Sequence, residues 1–146
     1  MNRKALTLAT LALLSGPALA ADVINHKSPY CGCCTEWTKH MQEAGFNVDE
    51  KLHENMNPIK QKLGIKPELA SCHTAEIDGY VFEGHIPAAD IKAFLENPPR
   101  NAKGLAVPGM PMGSPGMEYG DKKDEYSVYA FNEKGQVFEY RHYQGN

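Results

Sequence analysis

Four cysteines carry the most chemistry in this 146-residue chain, and three of them fall within four positions: Cys31, Cys33, Cys34 and Cys72. Thiolates act as nucleophiles, as redox couples and as soft metal ligands. Their spacing bears on which role applies. Cys33 and Cys34 are adjacent and cannot bond each other without strain. Two structural bridges would need one of the trio to reach Cys72 while the other two pair locally. A local bond of the Cys31–Cys34 type has redox character, since a staple usually closes a longer loop. Thiolates from two segments suit a thiophilic ion, Cu(I) foremost, where carboxylates would suit a harder one. Met110, Met112 and Met117 follow downstream. Thioether sulfur is also a soft ligand, and the alternative for each is packing over an apolar groove.

The elements around these residues can be read from the pattern. Asp22–His26 reads as a short strand and Ser28-Pro29-Tyr30 as a turn. A helix is expected from Cys31 or Cys33 to about Ala44, with Trp37 and Met41 on one face and Gly45 as its stop. At its first turn, free N–H groups and the positive end of the dipole favour a thiolate. There Cys31 and Cys34, three apart, share a face and Cys33 is turned away. Residues 46–53 are expected to be extended, with Phe46, Val48 and Leu52 inward. A helix over 58–63 begins at a favoured proline and ends at Gly64. Strands over 71–77 and 80–85 flank Asp78-Gly79, a strong two-residue hairpin signal. A helix over 87–96 turns Ile91, Phe94 and Leu95 to one side. The order β-α-β-α-β-β-α, with C-x-x-C between the first strand and helix, is that of a thioredoxin-like α/β fold. Pro67 falls near the cis-proline position of that fold.

The hairpin gives a register. With Asp78-Gly79 as the turn, opposing residue numbers sum to 157, so Cys72 faces His85 and His73 faces Gly84. Opposed residues share a face of the sheet. Cys72 and His85 should therefore converge on the N-terminal cysteines, while His73 points to the core in a hydrogen-bonded structural role. Residues 104–120, GLAVPGMPMGSPGMEYG, are too rich in glycine and proline for a helix or an interior strand, and are expected to form a loop carrying the methionines. Residues 126–131 and 136–143 read as a hairpin supporting that loop. His40, His53 and His142 are expected to be solvated, Trp37 to be core, and His26 to be a possible outer ligand.

Composition bounds the rest. Residues 1–20 combine Arg3 and Lys4, an apolar run and Ala18-Leu19-Ala20, which is the pattern of a cleaved export signal. The run breaks at Ser15-Gly16-Pro17, short of the roughly 20 apolar residues a spanning helix needs. Residues 21–146 should form one domain, outside the cytosol and in the periplasm, with no membrane insertion after cleavage. The net charge of −3, with no basic patch, argues against nucleic acid as a partner.

Tyr30-Cys31-Gly32-Cys33-Cys34 with Trp37, Ser71-Cys72-His73-Thr74-Ala75, Gly79-Tyr80, residues 83–88 (EGHIPA) and residues 104–118 together resemble the CopG-type periplasmic copper-resistance proteins, long catalogued as a domain of unknown function. The resemblance spans essentially all of 21–146. It implies a thioredoxin-like fold and copper binding within a copper-resistance system. The site expected from both lines is Cys31, Cys33, Cys34 and Cys72 as thiolates, with His85 and one or more of Met110, Met112 and Met117 completing or shielding it. A multinuclear Cu(I)/Cu(II) centre acting in copper redox conversion or in sequestration is expected. Copper ions and a periplasmic copper-efflux or copper-handling protein are the expected partners. The competing expectation is a periplasmic thiol–disulfide oxidoreductase using Cys31 as nucleophile and Cys34 to resolve.

Overall fold

Val23, Asn25 and Lys27 are buried while Asp22 and Ile24 are exposed, and this period of two makes Asp22–Lys27 the first strand, β1. In the computed structural model, which describes residues 21–146, the chain then turns and enters α1 (Gly32–Glu43). The expected export signal lies outside the described residues. Cys34, Trp37, Thr38 and Met41 form the buried stripe of α1. Gly45 ends the helix at φ 96°, a conformation a side chain would resist. β2 (Asn47–Leu52) returns parallel to β1. α2 (Asn57–Lys62) and a 3-10 turn at Pro67–Leu69 lead into the hairpin of β3 (Thr74–Ile77) and β4 (Tyr80–Glu83). α3 (Ala88–Glu96), β5 (Ala102–Ala106), β6 (Tyr126–Asn132) and β7 (Val137–Tyr143) complete the chain.

The seven strands form one sheet in the order β2-β1-β3-β4-β5-β6-β7. β1/β2 and β4/β5 pair in parallel, and the other neighbours are antiparallel. The fold is thus mixed α/β. One face of the sheet buries Val23, Ala75, Ile77, Phe82, Leu105, Val128 and Ala130 with Trp37 and Met41 of α1 and Ile91 and Phe94 of α3. The other face holds a smaller cluster of Val81, Ala106 and Phe131 with Ile65 and Leu69, from the segment that follows α2. Among the described residues, no helix is long and apolar enough to cross a membrane.

Several expectations need correction. Residues 102–106 are an interior strand, although 104–120 reads as too rich in glycine and proline for one. The glycine is what admits it: a Cβ on Gly104 would stand 1.6 Å from the Val81 carbonyl oxygen of β4. Leu52, expected inward, is 58 % exposed, because β2 is an edge strand. Pro67 opens the 3-10 turn, and no peptide bond among the described residues is cis. β3 and β4 are shorter than expected, leaving Cys72, His73 and His85 just outside the ladder.

Candidate metal centre

Three backbone segments bring the sulfurs together. The first is the entry to α1. The Cys31 N–H donates to Ser28 O at 3.2 Å, closing the turn after β1, and Thr35 N–H reaches back to Cys31 O. Cys33 and Cys34 then sit on the first helical turn, with Cys34 fully buried and Cys31 and Cys33 half-buried. Cys31 and Cys34 are joined by a disulfide with Cα atoms 5.4 Å apart, while Cys33 and Cys72 are free thiols.

The second segment precedes β3. The Ser71 N–H donates to Glu83 Oε1 at 2.7 Å, and the Ser71 hydroxyl donates to Gly109 O. Glu83 is fully buried and also accepts from Thr74 Oγ1 and from the ammonium of Lys60 on α2. That network fixes the backbone beside Cys72. Cys72 Sγ lies 3.9 Å from Cys33 Sγ, and Cys33 Sγ lies 3.4 Å from Cys31 Sγ. All four Sγ atoms fall within 4.8 Å of one another.

The third segment is the end of the hairpin with the loop that covers it. Thr74↔Glu83, Ala75↔Phe82, Glu76↔Val81 and Ile77↔Tyr80 give the register read from the sequence, and Asp78 (φ 50°) and Gly79 (φ 81°) form the turn. The Gly84 N–H donates to His73 O, continuing that register past the strands. His85 Nε2 stands 3.0 Å from Cys72 Sγ. Its other nitrogen, Nδ1, is 2.8 Å from Pro115 O, which can only accept. Nδ1 therefore carries the proton, and the lone pair of Nε2 faces the sulfurs. Gly116 closes this contact: a Cβ there would meet Cys33 O and Trp37 N, each at 2.7 Å.

Electrostatics suit neutral imidazoles beside thiols. Burial lowers His73 well below its ordinary value, aided by nearby His85 and Lys60. Burial also lowers His85, against the opposing pull of Pro115 O and Glu118. Burial pushes the Cys72 thiol up to about 11, with the Ser71 contact pulling back. A cation would reverse that preference, since a coordinating thiol is deprotonated.

His73 meets its expectation in part. It is fully buried and packs at a tilt against Trp37, whose indole N–H donates to Ile86 O. Its Nδ1, however, is 3.9 Å from Cys72 Sγ, and Cys72, His73 and His85 form a second potential ligand group. His73 Nε2 is buried without a hydrogen-bond partner, where a hydrogen-bonded role was expected. An unpaired buried nitrogen costs about 1–3 kcal/mol, which a ligand would offset. Its proximity to the sulfurs is invisible to a face argument, because side chains leaving the end of a strand can reach around it.

The methionines occupy a loop of tight turns. Met112 N–H donates to Asp124 Oδ2, Met117 N–H donates to Ser114 O, and Gly113 N–H donates to Met117 O. Met112 and Met117 are half-buried and Met110 is exposed. The remaining histidines are engaged elsewhere. His40 pairs with Glu118 and His142 with Glu125, each partly exposed. His26 falls in neither ligand group; it contacts His53 and Glu76.

Residues 69–117 match a family described as "Protein of unknown function, DUF411". Two solved structures of copper resistance protein CopG, forms 1 and 2, each share 42 % identity and a TM-score of 0.82 with this chain. Each alignment covers 86 % of this chain and 99 % of the solved one. No curated protein matches. The chain belongs to the family of these CopG copper-resistance proteins.

Proposed function

We propose that this CopG family member is a periplasmic copper-binding protein of a copper-resistance system, whose reduced cysteines hold copper on a thioredoxin-like scaffold. The observation that carries this reading is the convergence of four Sγ atoms within 4.8 Å, fed by two separate segments. Soft sulfur and neutral imidazole fit Cu(I), and Cu(I)/Cu(II) cycling is the chemistry copper would supply there. In support of the scaffold, β1-α1-β2 is a parallel unit with C-x-C-C at the helix entry, and the β3-β4 hairpin is joined to it at β1. Residues 1–20 are read as the cleaved export signal and 21–146 as the single copper-binding domain.

Each residue has a task in this reading. Cys31 and Cys34 must be released from their bond by a two-electron reduction, with an external dithiol as the reductant, before all four sulfurs can act as thiolates. The helix entry stabilises the resulting negative charge. His85, held in one tautomer by Pro115 O, presents Nε2, and the Pro115–Met117 loop shields the sulfurs. Met110, Met112 or Met117 would supply thioether to a sulfur-rich ion at the loop side. Four thiolates can bridge, so the reading extends to a multinuclear centre.

The test is Cu(I) titration of anaerobically reduced protein with X-ray absorption. More than one Cu(I) with mainly Cu–S distances is expected. One copper with mostly nitrogen neighbours would leave a mononuclear histidine site. The second reading, a thiol–disulfide oxidoreductase, is favoured by the Cys31–Cys34 bond and the adjacent Cys72–His85 pair. Cys33→Ser separates the two. It should abolish most copper loading while sparing disulfide reduction, whereas full loading with lost exchange activity would establish the oxidoreductase.

A further inference from the structure

A second histidine cluster lies apart from the sulfurs and is not used by the function proposed above. His26, the penultimate residue of β1, places Nδ1 2.9 Å from Nε2 of His53, which follows β2. The opposite nitrogen of His26, Nε2, is 2.8 Å from Glu76 Oε1 on the neighbouring strand β3. The backbone holds this arrangement. β1 pairs with both β2 and β3, and the His53 N–H donates to Lys27 O at 2.9 Å. The His26 side chain is only 13 % exposed.

The proton positions follow from the partners. A neutral His26 that donates Nε2–H to the Glu76 carboxylate presents Nδ1 as a bare lone pair. His53 Nε2–H then bonds to that lone pair. A carboxylate behind a histidine whose other nitrogen faces a second imidazole is the arrangement that orients histidine ligands in metal sites.

We propose that His26 Nδ1 and His53 Nε2 form a separate nitrogen site for a divalent first-row cation, Cu(II) foremost, with Glu76 orienting His26. The two nitrogens stand at hydrogen-bond distance, 2.9 Å, so a small turn of the rings lets both reach one ion as neighbouring ligands about 2.0 Å from it. Tetragonal nitrogen ligation is the preference of Cu(II) and Ni(II), and Cu(II) binds the more tightly of the two. Binding exchanges one hydrogen bond for two coordinate bonds. The His53 proton moves through solvent from Nε2 to Nδ1, the ring turns to bring its lone pair onto the ion, and water fills the remaining positions. The site takes the harder oxidation state with nitrogen, while the sulfurs favour the softer one.

The test uses untagged protein in a Cys31→Ser, Cys33→Ser, Cys34→Ser, Cys72→Ser background, so that thiols neither bind nor reduce the added ion. Should that variant not fold, the same titration is run on wild-type protein with its thiols alkylated after reduction. Cu(II) is added and followed by electron paramagnetic resonance. One equivalent with nitrogen splitting from two imidazoles is expected. It should be lost in His26→Ala and in His53→Ala, and unchanged in His40→Ala and His142→Ala. Glu76→Gln should weaken binding about ten- to hundredfold. Two-imidazole splitting that persists in His53→Ala, or that disappears in His142→Ala, overturns the proposal, as does failure to bind Cu(II) by folded protein. None of these results depends on the thiols.

Discussion

At the scale of single residues, the two histidines of the hairpin divide a task that their types alone do not. His85 is held by Pro115 O on one side and faces Cys72 Sγ on the other, so its lone pair is committed to the sulfurs. His73 is fully buried against Trp37. His85→Ala should therefore lower Cu(I) affinity by at least tenfold while changing the melting temperature of the apo form little. His73→Ala should do the reverse, costing about 2 kcal/mol through the cavity it leaves beside the indole. Cu(I) competition titrations and apo-protein melts of both variants make the comparison. A stable His73→Ala protein with ruined affinity would show that His73 is a ligand.

At the scale of elements, the site depends on two supports that act on the backbone beside Cys72 and His85. The first is the loop after β5. Gly116 has φ 87°, and any side chain there would strike the backbone of α1. Gly116→Ala should cost about 1–3 kcal/mol in stability and, by lifting Pro115 O from His85 Nδ1, weaken copper binding without removing a ligand. A titration matching wild type would mean that the Pro115 contact does not orient His85. The second support is the buried pair of Glu83 and Lys60, which anchors Ser71 next to Cys72. Burial raises Glu83 above its ordinary 4.5, and Lys60 opposes that shift. A carboxyl raised on folding is penalised once pH exceeds its folded value, and the penalty vanishes below about 4.5. Lys60→Met should thus destabilise by about 3 kcal/mol near neutrality, and the deficit against wild type should shrink as pH falls toward 5. Denaturant melts across that range would check it; a deficit independent of pH would assign the loss to packing.

At the scale of the whole molecule, the cysteine cluster joins parts of the chain that the sheet alone holds in register. α1 enters it from β1, Cys72 precedes β3, His85 follows β4, and the loop between β5 and β6 covers it. Anything that binds these together only in the folded state stabilises by mass action, about 2.7 kcal/mol at a hundredfold excess over Kd. Reduced protein with Cu(I) at that excess should therefore melt on the order of 10 °C higher than the apo form. Protein with the Cys31–Cys34 bond intact should gain far less, because only Cys33 and Cys72 remain free. Calorimetry of the two redox forms distinguishes them. Equal gains would mean that copper does not need the two bridged sulfurs.

Turns, helix stops and the hairpin register are legible in the sequence alone. Asp78-Gly79 requires a two-residue turn, and that turn forces the pairing that sums to 157, beyond whose end Cys72 Sγ meets His85 Nε2. Gly45 and Gly64 stop their helices, and the cysteine spacing places three sulfurs at one helix entry. These are short-range consequences of backbone sterics, so they can be read without a partner in space. Tertiary structure decided what depends on neighbours distant in the chain. It made residues 102–106 an interior strand, because Gly104 matters only when Val81 is against it. Only in the folded chain does Pro115 O select the His85 tautomer, thirty residues away. The His26–His53–Glu76 contact likewise exists only because β1 has β2 on one side and β3 on the other, an adjacency that no local period encodes.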